Sequence, residues 1–164
     1  MSRSRVSFTQ LFDQNREYWP ETTAGVSLIA PAIYRLHEHL SQLANALFTA
    51  YGLQSAEFEA LCALRTSPPP HQMTPTELYR KLLVSSGGMT KILVRLEDKG
   101  LIERPINPED ARSKRVALTA SGKALIEEVT DKLLQQEAKL LARIEQPDAL
   151  QQSLMQWLQQ IEHS

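Results

Sequence analysis

One cysteine, Cys62, is all the thiol chemistry in 164 residues. It has no partner for a disulfide within its chain, and a reduced, cytoplasmic setting is the expectation. No apolar run approaches the ~18 residues that a membrane span needs, and no membrane partner is expected. Arg3 and Arg5 stand near the start without the apolar segment of a secretory leader behind them. No G-x-S-x-G, P-loop, H-E-x-x-H or dinucleotide fingerprint occurs, so an enzyme is the least expected class and no cofactor is implied. The four histidines are scattered. His37 and His39 diverge on a helix, His71 lies in a Pro-rich stretch and His163 in the tail, which makes no metal-ligand set.

Net charge is also scarce, but the −1 total hides a segregation. Residues 71–123 hold ten Lys/Arg against six Asp/Glu, a net of +4, and the remainder holds eight against thirteen, a net of −5. A basic segment on an acidic body fits a nucleic-acid face.

The apolar content of 42% is that of an ordinary globular chain, and its spacing is mostly helical. Residues 8–19 predict a short amphipathic helix ending before Pro20, with a linker over 20–25. From Leu28, the positions Ile29, Ile33, Leu36, Leu40, Leu43 and Leu47 recur in steps of four and three. This is the stripe of a long helix stopping at Gly52. Ser55 is the expected cap of the next helix, with Phe58, Leu61 and Cys62 inward and Glu57 in its first turn. Pro68–Pro70 then forbid helix.

Thr74-Pro75-Thr76-Glu77 is a helix start with a capping box, and Leu78 and Leu82 face inward. Val84 and Ser85 make a turn, and Ser85 or Ser86 caps a helix with Met89, Leu93 and Leu96 in the core. Gly100 ends that helix and Leu101 folds back on Leu96. Ile102–Ile106 and Lys114–Leu118 alternate like half-buried strands. Thr119 caps a long helix to about Ile144, and Pro147 opens a last one carrying Leu150, Leu154, Trp157, Leu158 and Ile161. The expected fold is mainly α, with terminal helices whose stripes call for a second copy of the chain.

Residues 84–119 read VSSGGMTKILVRLEDKGLIERPINPEDARSKRVALT. Ser86, Gly87, Thr90, Lys91 and Arg95 share the outer face of the helix. Small side chains and donors near a helix N-terminus suit the major groove. Gly87 and Gly88 each cost ~1 kcal/mol of helix stability against Ala, and their bare backbone permits close approach to a duplex. The alternative is a flexible turn. Asn107–Ser113 reads as the tip loop of a basic hairpin. Asp110 and Arg112, two apart, project to one side of an extended strand. In isolation such a pair is only a surface ion pair worth ~0–1 kcal/mol. Ser113, Lys114 and Arg115 are candidate phosphate contacts, and Thr76 and Ser85 complete the expected DNA-binding set.

The runs SSGGMTK, RLEDKGLIER, PEDARS and ALTASGKAL closely resemble the MarR family of bacterial transcriptional regulators, and a weaker resemblance extends over residues 24–161. It implies a winged helix-turn-helix lobe over 55–119. A dimerisation segment over 1–54 and dimerisation helices over 120–164 would flank it. It implies that Asp110 braces the wing and Arg112 enters the minor groove. It also implies a homodimer on a pseudo-palindromic double-stranded operator. The most frequent role is repression, released by a small aromatic or amphipathic effector. Relatives take effectors between dimerisation helices and DNA lobe, which points to Tyr34, His37, Phe58 and Cys62. Two alternatives stay open: a thiol-based redox regulator acting through Cys62, against which a buried, inert cysteine is expected, and a helical dimerisation module that binds no DNA.

Overall fold

The computed structural model describes residues 6–23, 28–82, 86–107 and 110–163. Two compact units divide between Ala46 and Leu47. In the first, helix α1 (Phe8–Tyr18) is closed by a capping box. Ser7 and Gln10 each accept the other's backbone N–H at 3.1 Å. A 3-10 turn, Pro20–Thr23, follows. Helix α2 (Ile29–Ala50) begins in this unit and carries the expected stripe, with Ile33, Leu40 and Leu43 half-buried and Ile29 and Leu36 exposed.

The second unit begins where α2 ends. Its C-terminus closes through Gly52 at φ +67, with Leu53 N–H donating to Phe48 O at 2.8 Å and Gly52 N–H to Thr49 O at 3.0 Å. This pair of bonds satisfies the last free carbonyls and needs a residue at positive φ. Helices α3 (Ser55–Arg65), α4 (Pro75–Leu82) and α5 (Ser86–Asp98) form the centre of the unit. Helix α5 ends by the same device, with Gly100 at φ +67 and Leu101 N–H on Leu96 O at 2.9 Å. Thr74 and Glu77 form the expected box at the head of α4, with Thr74 N–H on Glu77 Oε2 at 2.7 Å and Glu77 N–H on Thr74 Oγ1 at 3.2 Å. The Val84–Ser85 turn lies outside the described residues.

Strands β1 (Gln72–Met73), β2 (Ile102–Glu103) and β5 (Val116–Leu118) make an antiparallel sheet in the order β1-β5-β2. Strands β3 (Ile106–Asn107) and β4 (Asp110–Lys114) make a separate hairpin whose register shifts between Ile106 and Asn107. Three expectations fail here. Lys114–Leu118 is not one alternating strand: β4 ends at Lys114, β5 begins at Val116, and Val116 and Ala117 are both buried. Ile102–Ile106 is not one half-buried strand: Ile102 is buried, Ile106 is 68% exposed, and Pro105, which has no N–H to give a ladder, separates them. Asp110–Ser113 is strand, not loop. β1 was not legible at all, being two residues at the end of a Pro-rich stretch.

Helix α6 (Ala120–Leu141) stops three residues short of Ile144, and α7 (Pro147–Glu162) follows. Thr119 caps α6, accepting Gly122 N–H at 3.0 Å and donating to Gly100 O at 2.7 Å. The first turn of α6 therefore rests on the corner that ends α5. The core joins Leu61, Leu64, Leu78, Leu93, Leu96, Val116, Ile126 and Val129, all essentially without solvent contact. Every residue of α7 is exposed, its five-residue apolar stripe included.

A Cβ at Gly122 would collide with the carbonyl of Leu101. Gly122→Ala should therefore destabilise the protein by about 1–3 kcal/mol, although alanine gains ~1 kcal/mol in helix propensity. Chemical denaturation measures it, and equal or higher stability in the variant would show that the α5–α6 corner is not closely packed.

Candidate nucleic-acid interface

Helix α5 is amphipathic in a way that fixes which face can meet a ligand. Met89, Ile92, Leu93 and Leu96 are buried against α3, α4 and β2. Thr90 and Lys91 are exposed on the opposite side, as expected, with Val94 beside them. Ser86 and Gly87 open the helix, but their side chains lie outside the described ones, and Ser85 lies outside the described residues altogether. The backbone of Asp110, Arg112 and Ser113 runs in β4, with their side chains likewise outside the described ones. Lys114 is exposed at the end of β4, and Arg115 is half-buried, its N–H donating to Pro105 O at 2.9 Å.

Arg95 is held differently from its neighbours. Its Nε donates to Glu57 Oε1 at 2.8 Å, while Lys99 Nζ donates to Glu57 Oε2 at 2.7 Å and to Gly52 O at 2.7 Å. The Glu57 side chain is 0% exposed. It also accepts the N–H of Gln54 at 2.9 Å, so Gln54, not Ser55, occupies the cap position of α3. Burial pushes the Glu57 carboxyl up, but the hydrogen bonds from Lys99, Arg95 and Gln54 outweigh it and hold it below the ordinary carboxylate value. The expected inward face of α3 is corrected accordingly. Glu57, Ala60, Leu61 and Leu64 are buried, whereas Phe58 and Cys62 are half-buried. Charged Glu57 turns inward because donors converge on it from α5.

Thr76 and Thr90 come together at an open cavity of about 290 Å³ that Pro75, Tyr79, Met89, Leu93 and Arg104 also line. The Nε of Arg104 is buried there, has no hydrogen-bond partner among the described residues and lies 3.4 Å from Glu97 Oε2. Glu57, Lys99 and Arg104 were all missed from sequence. Glu57 sits where an acidic helix start is expected, and nothing local shows that its partners lie some forty residues on.

The four residues expected at an effector site fall in both units. Tyr34, 74% exposed, and His37, whose Nε2 is 3.4 Å from Ser41 Oγ, belong to the first. In the second, the Phe58 ring stacks on Phe48 with centroids 4.2 Å apart. Cys62 lines a different cavity, about 440 Å³, between α3 and α6 with Arg65, Ile126, Glu127, Thr130 and Leu134. Arg65 Nε bonds Glu127 Oε1 across it at 2.7 Å. Among the described residues no three His, Cys, Asp or Glu converge on a possible metal position.

Comparison with known proteins fits this geometry. Residues 53–114 match the family model described as MarR family. The chain is 26% identical over 137 residues to the HTH-type transcriptional regulator PecS of Dickeya dadantii, a span covering 84% of this chain and 82% of PecS. It is 34% identical over 96 residues to the multiple antibiotic resistance protein MarR of Escherichia coli, covering 58% of this chain and 65% of that relative, just under two thirds of its length. A crystal structure of a cysteine-to-serine mutant of E. coli MarR complexed with operator DNA superposes with a TM-score of 0.63 at 28% identity, covering 88% of this chain and 96% of that one.

Over residues 53–114 the chain carries a MarR-family domain. In family terms α4 and α5 are the helix-turn-helix and the β3–β4 hairpin is the wing, which makes the fold a winged helix-turn-helix within a mainly helical chain.

Burial raises the Cys62 thiol above its ordinary value. The hydroxyl of Thr130 opposes the rise and Glu59 adds to it. A thiol held protonated is a poor nucleophile. Equimolar peroxide at neutral pH should therefore leave Cys62 unmodified by intact-mass measurement, with duplex affinity unchanged. Sulfenic acid formation with parallel loss of affinity would establish the redox alternative instead.

Proposed function

We propose that this chain, with its MarR-family domain, is a sequence-specific, double-stranded-DNA-binding transcriptional regulator, acting in the cytoplasm as a homodimer. The observation that carries the reading is the two-sided α5: four apolar residues seat it in the core while Thr90 and Lys91 are exposed on the opposite side, where a major groove can meet them. The winged helix fold, the basic charge of residues 71–123 and the operator complex of the E. coli relative support it. In this reading Ser86, Gly87, Thr90 and Lys91 meet base edges and nearby phosphates. Thr76, Ser85, Ser113, Lys114 and Arg115 take phosphates, and Arg112, braced by Asp110, reaches from the wing into the minor groove. Arg95 contributes charge beside the groove with its Nε committed to Glu57.

The uncovered stripe of α7, with Leu150, Leu154, Trp157, Leu158 and Ile161 all exposed, supports a dimer in which a second copy covers it. Two α5 helices about one helical turn apart would then read a pseudo-palindrome. The regulator is proposed as a repressor released by a small aromatic or amphipathic anion. The cavity beside Arg104 and the one beside Cys62 each offer apolar walls with a cation at hand. Release requires that the anion bind the DNA-incompetent state more tightly.

Substitution separates the two kinds of contact. Arg112→Ala should weaken binding to a selected duplex by about 1–3 kcal/mol without loss of fold. Lys91→Ala should lower the preference for that duplex over a scrambled one. Anisotropy titrations at fixed salt decide both. An unchanged dissociation constant for Arg112→Ala removes the wing contact, and equal losses on both duplexes for Lys91→Ala reduce it to a phosphate contact.

Truncation after Ile144 removes the five apolar residues of α7, each worth about 1.5–3 kcal/mol when fully buried. The truncated protein should dimerise weakly and lose duplex affinity through loss of the second half-site. Sedimentation at submicromolar concentration tests this, and a tight dimer would exclude α7 from the interface.

A further inference from the structure

We propose that Glu57 is a positioning residue for DNA reading. Its carboxylate clamps the recognition helix α5 at two points and so fixes the rotation of that helix about its own axis. The inference rests on the reading of α5 as the DNA-reading element and adds what orients it. The apolar floor of Met89, Ile92, Leu93 and Leu96 sets the depth of α5 and which face turns outward, but its non-directional contacts leave the finer azimuth of the helix less tightly fixed. Directional, charge-assisted hydrogen bonds supply the missing constraint.

Glu57 gives one oxygen to Arg95 at 2.8 Å and the other to Lys99 at 2.7 Å. Those two residues are four apart, one above the other on a single stripe of the helix. Lys91 continues the stripe one turn earlier and is exposed. The far end of the stripe is thus held while its near end meets solvent, and the azimuth of Lys91 is set by the clamp. The anchor does not move freely, because Glu57 has no solvent contact and takes the Gln54 N–H at the start of α3. Lys99 also holds Gly52 O at 2.7 Å. The corner that ends α2 and the end of α5 therefore share one ammonium, so a change of backbone at Gly52 is felt at α5.

The test compares Glu57→Gln with wild type on two probes: a duplex enriched from a random-sequence pool by the wild-type protein, and a scrambled duplex of equal length. Glutamine keeps the shape and removes the charge. Loss of one negative charge near a polyanion by itself raises affinity for both duplexes, and partial unfolding lowers both. The clamp predicts divergence: scrambled-duplex affinity unchanged or higher, and the selected-to-scrambled ratio lower by about tenfold or more. Arg95→Lys in the otherwise wild-type protein, which retains a donor, should keep more of that ratio than Arg95→Ala. A ratio in Glu57→Gln equal to wild type, with both affinities moving together, would overturn the proposal. Amide hydrogen exchange along α5 is the second measurement, read in folded protein without DNA. Faster exchange confined to α5 and the Gly52 corner supports the clamp, and unchanged protection there overturns it. If the wild-type protein enriches no duplex, the regulator reading fails on its own, and the exchange measurement alone decides the clamp.

Discussion

A carboxylate shut away from solvent must be met by donors, and donors from the head of α3 and from α5 converge on Glu57. Leaving such a charge bare would cost several kcal/mol. The Gln54 amide at the head of α3 and the cations of Arg95 and Lys99 on α5 supply the compensation. The two cations remain 39% and 37% exposed. They keep much of their hydration while lending a donor each, which lowers the cost of the arrangement relative to a fully buried triad.

Around this point the unit divides its tasks among a few residues. The two glycine-ended corners, at Gly52 and Gly100, turn the chain sharply and deliver Leu53 and Leu101 into the core. Thr119 and Ser121 both donate to the Gly100 carbonyl, so the long helix α6 starts on the corner where α5 stops. Farther along α6, Glu127 pairs with Arg65 of α3, and Glu128 and Lys132 both engage the Tyr51 hydroxyl at the end of α2. α5 is thus held at its C-terminal end by a carboxylate and a capped helix, while its first turns present Thr90 and Lys91 outward.

What could be read from the sequence follows from the range of each interaction. Helix starts and stops depend on residues three to five apart, and Thr74–Glu77, Thr119, Gly52, Gly100 and Pro147 all mark the boundaries expected of them. Periodicity located the α2 stripe and the buried Met89, Leu93 and Leu96. The failures lie where partners are distant. Glu57 meets Arg95 across 38 positions, and no local pattern distinguishes such a glutamate from an exposed helix-start acid. Phe58 and Cys62 were expected inward because they are apolar; the charge beside them took the deepest position. The split of the β-prone runs turned on Pro105, whose missing N–H ends one ladder and starts another. Arg104 was invisible for the same reason as Glu57, since its setting is made by α4 and α5 together.

The central claim is that two copies of α5 read one duplex through successive major grooves, with a wing beside each. Methylation interference at guanine N7 combined with hydroxyl-radical footprinting on an enriched duplex tests it most directly. The account predicts two patches of N7 interference in the major groove, about 10 base pairs apart on one face of the duplex, each flanked by minor-groove protection from the wing. Continuous protection without that spacing, or protection without interference at any guanine N7 within the bound site, would contradict it.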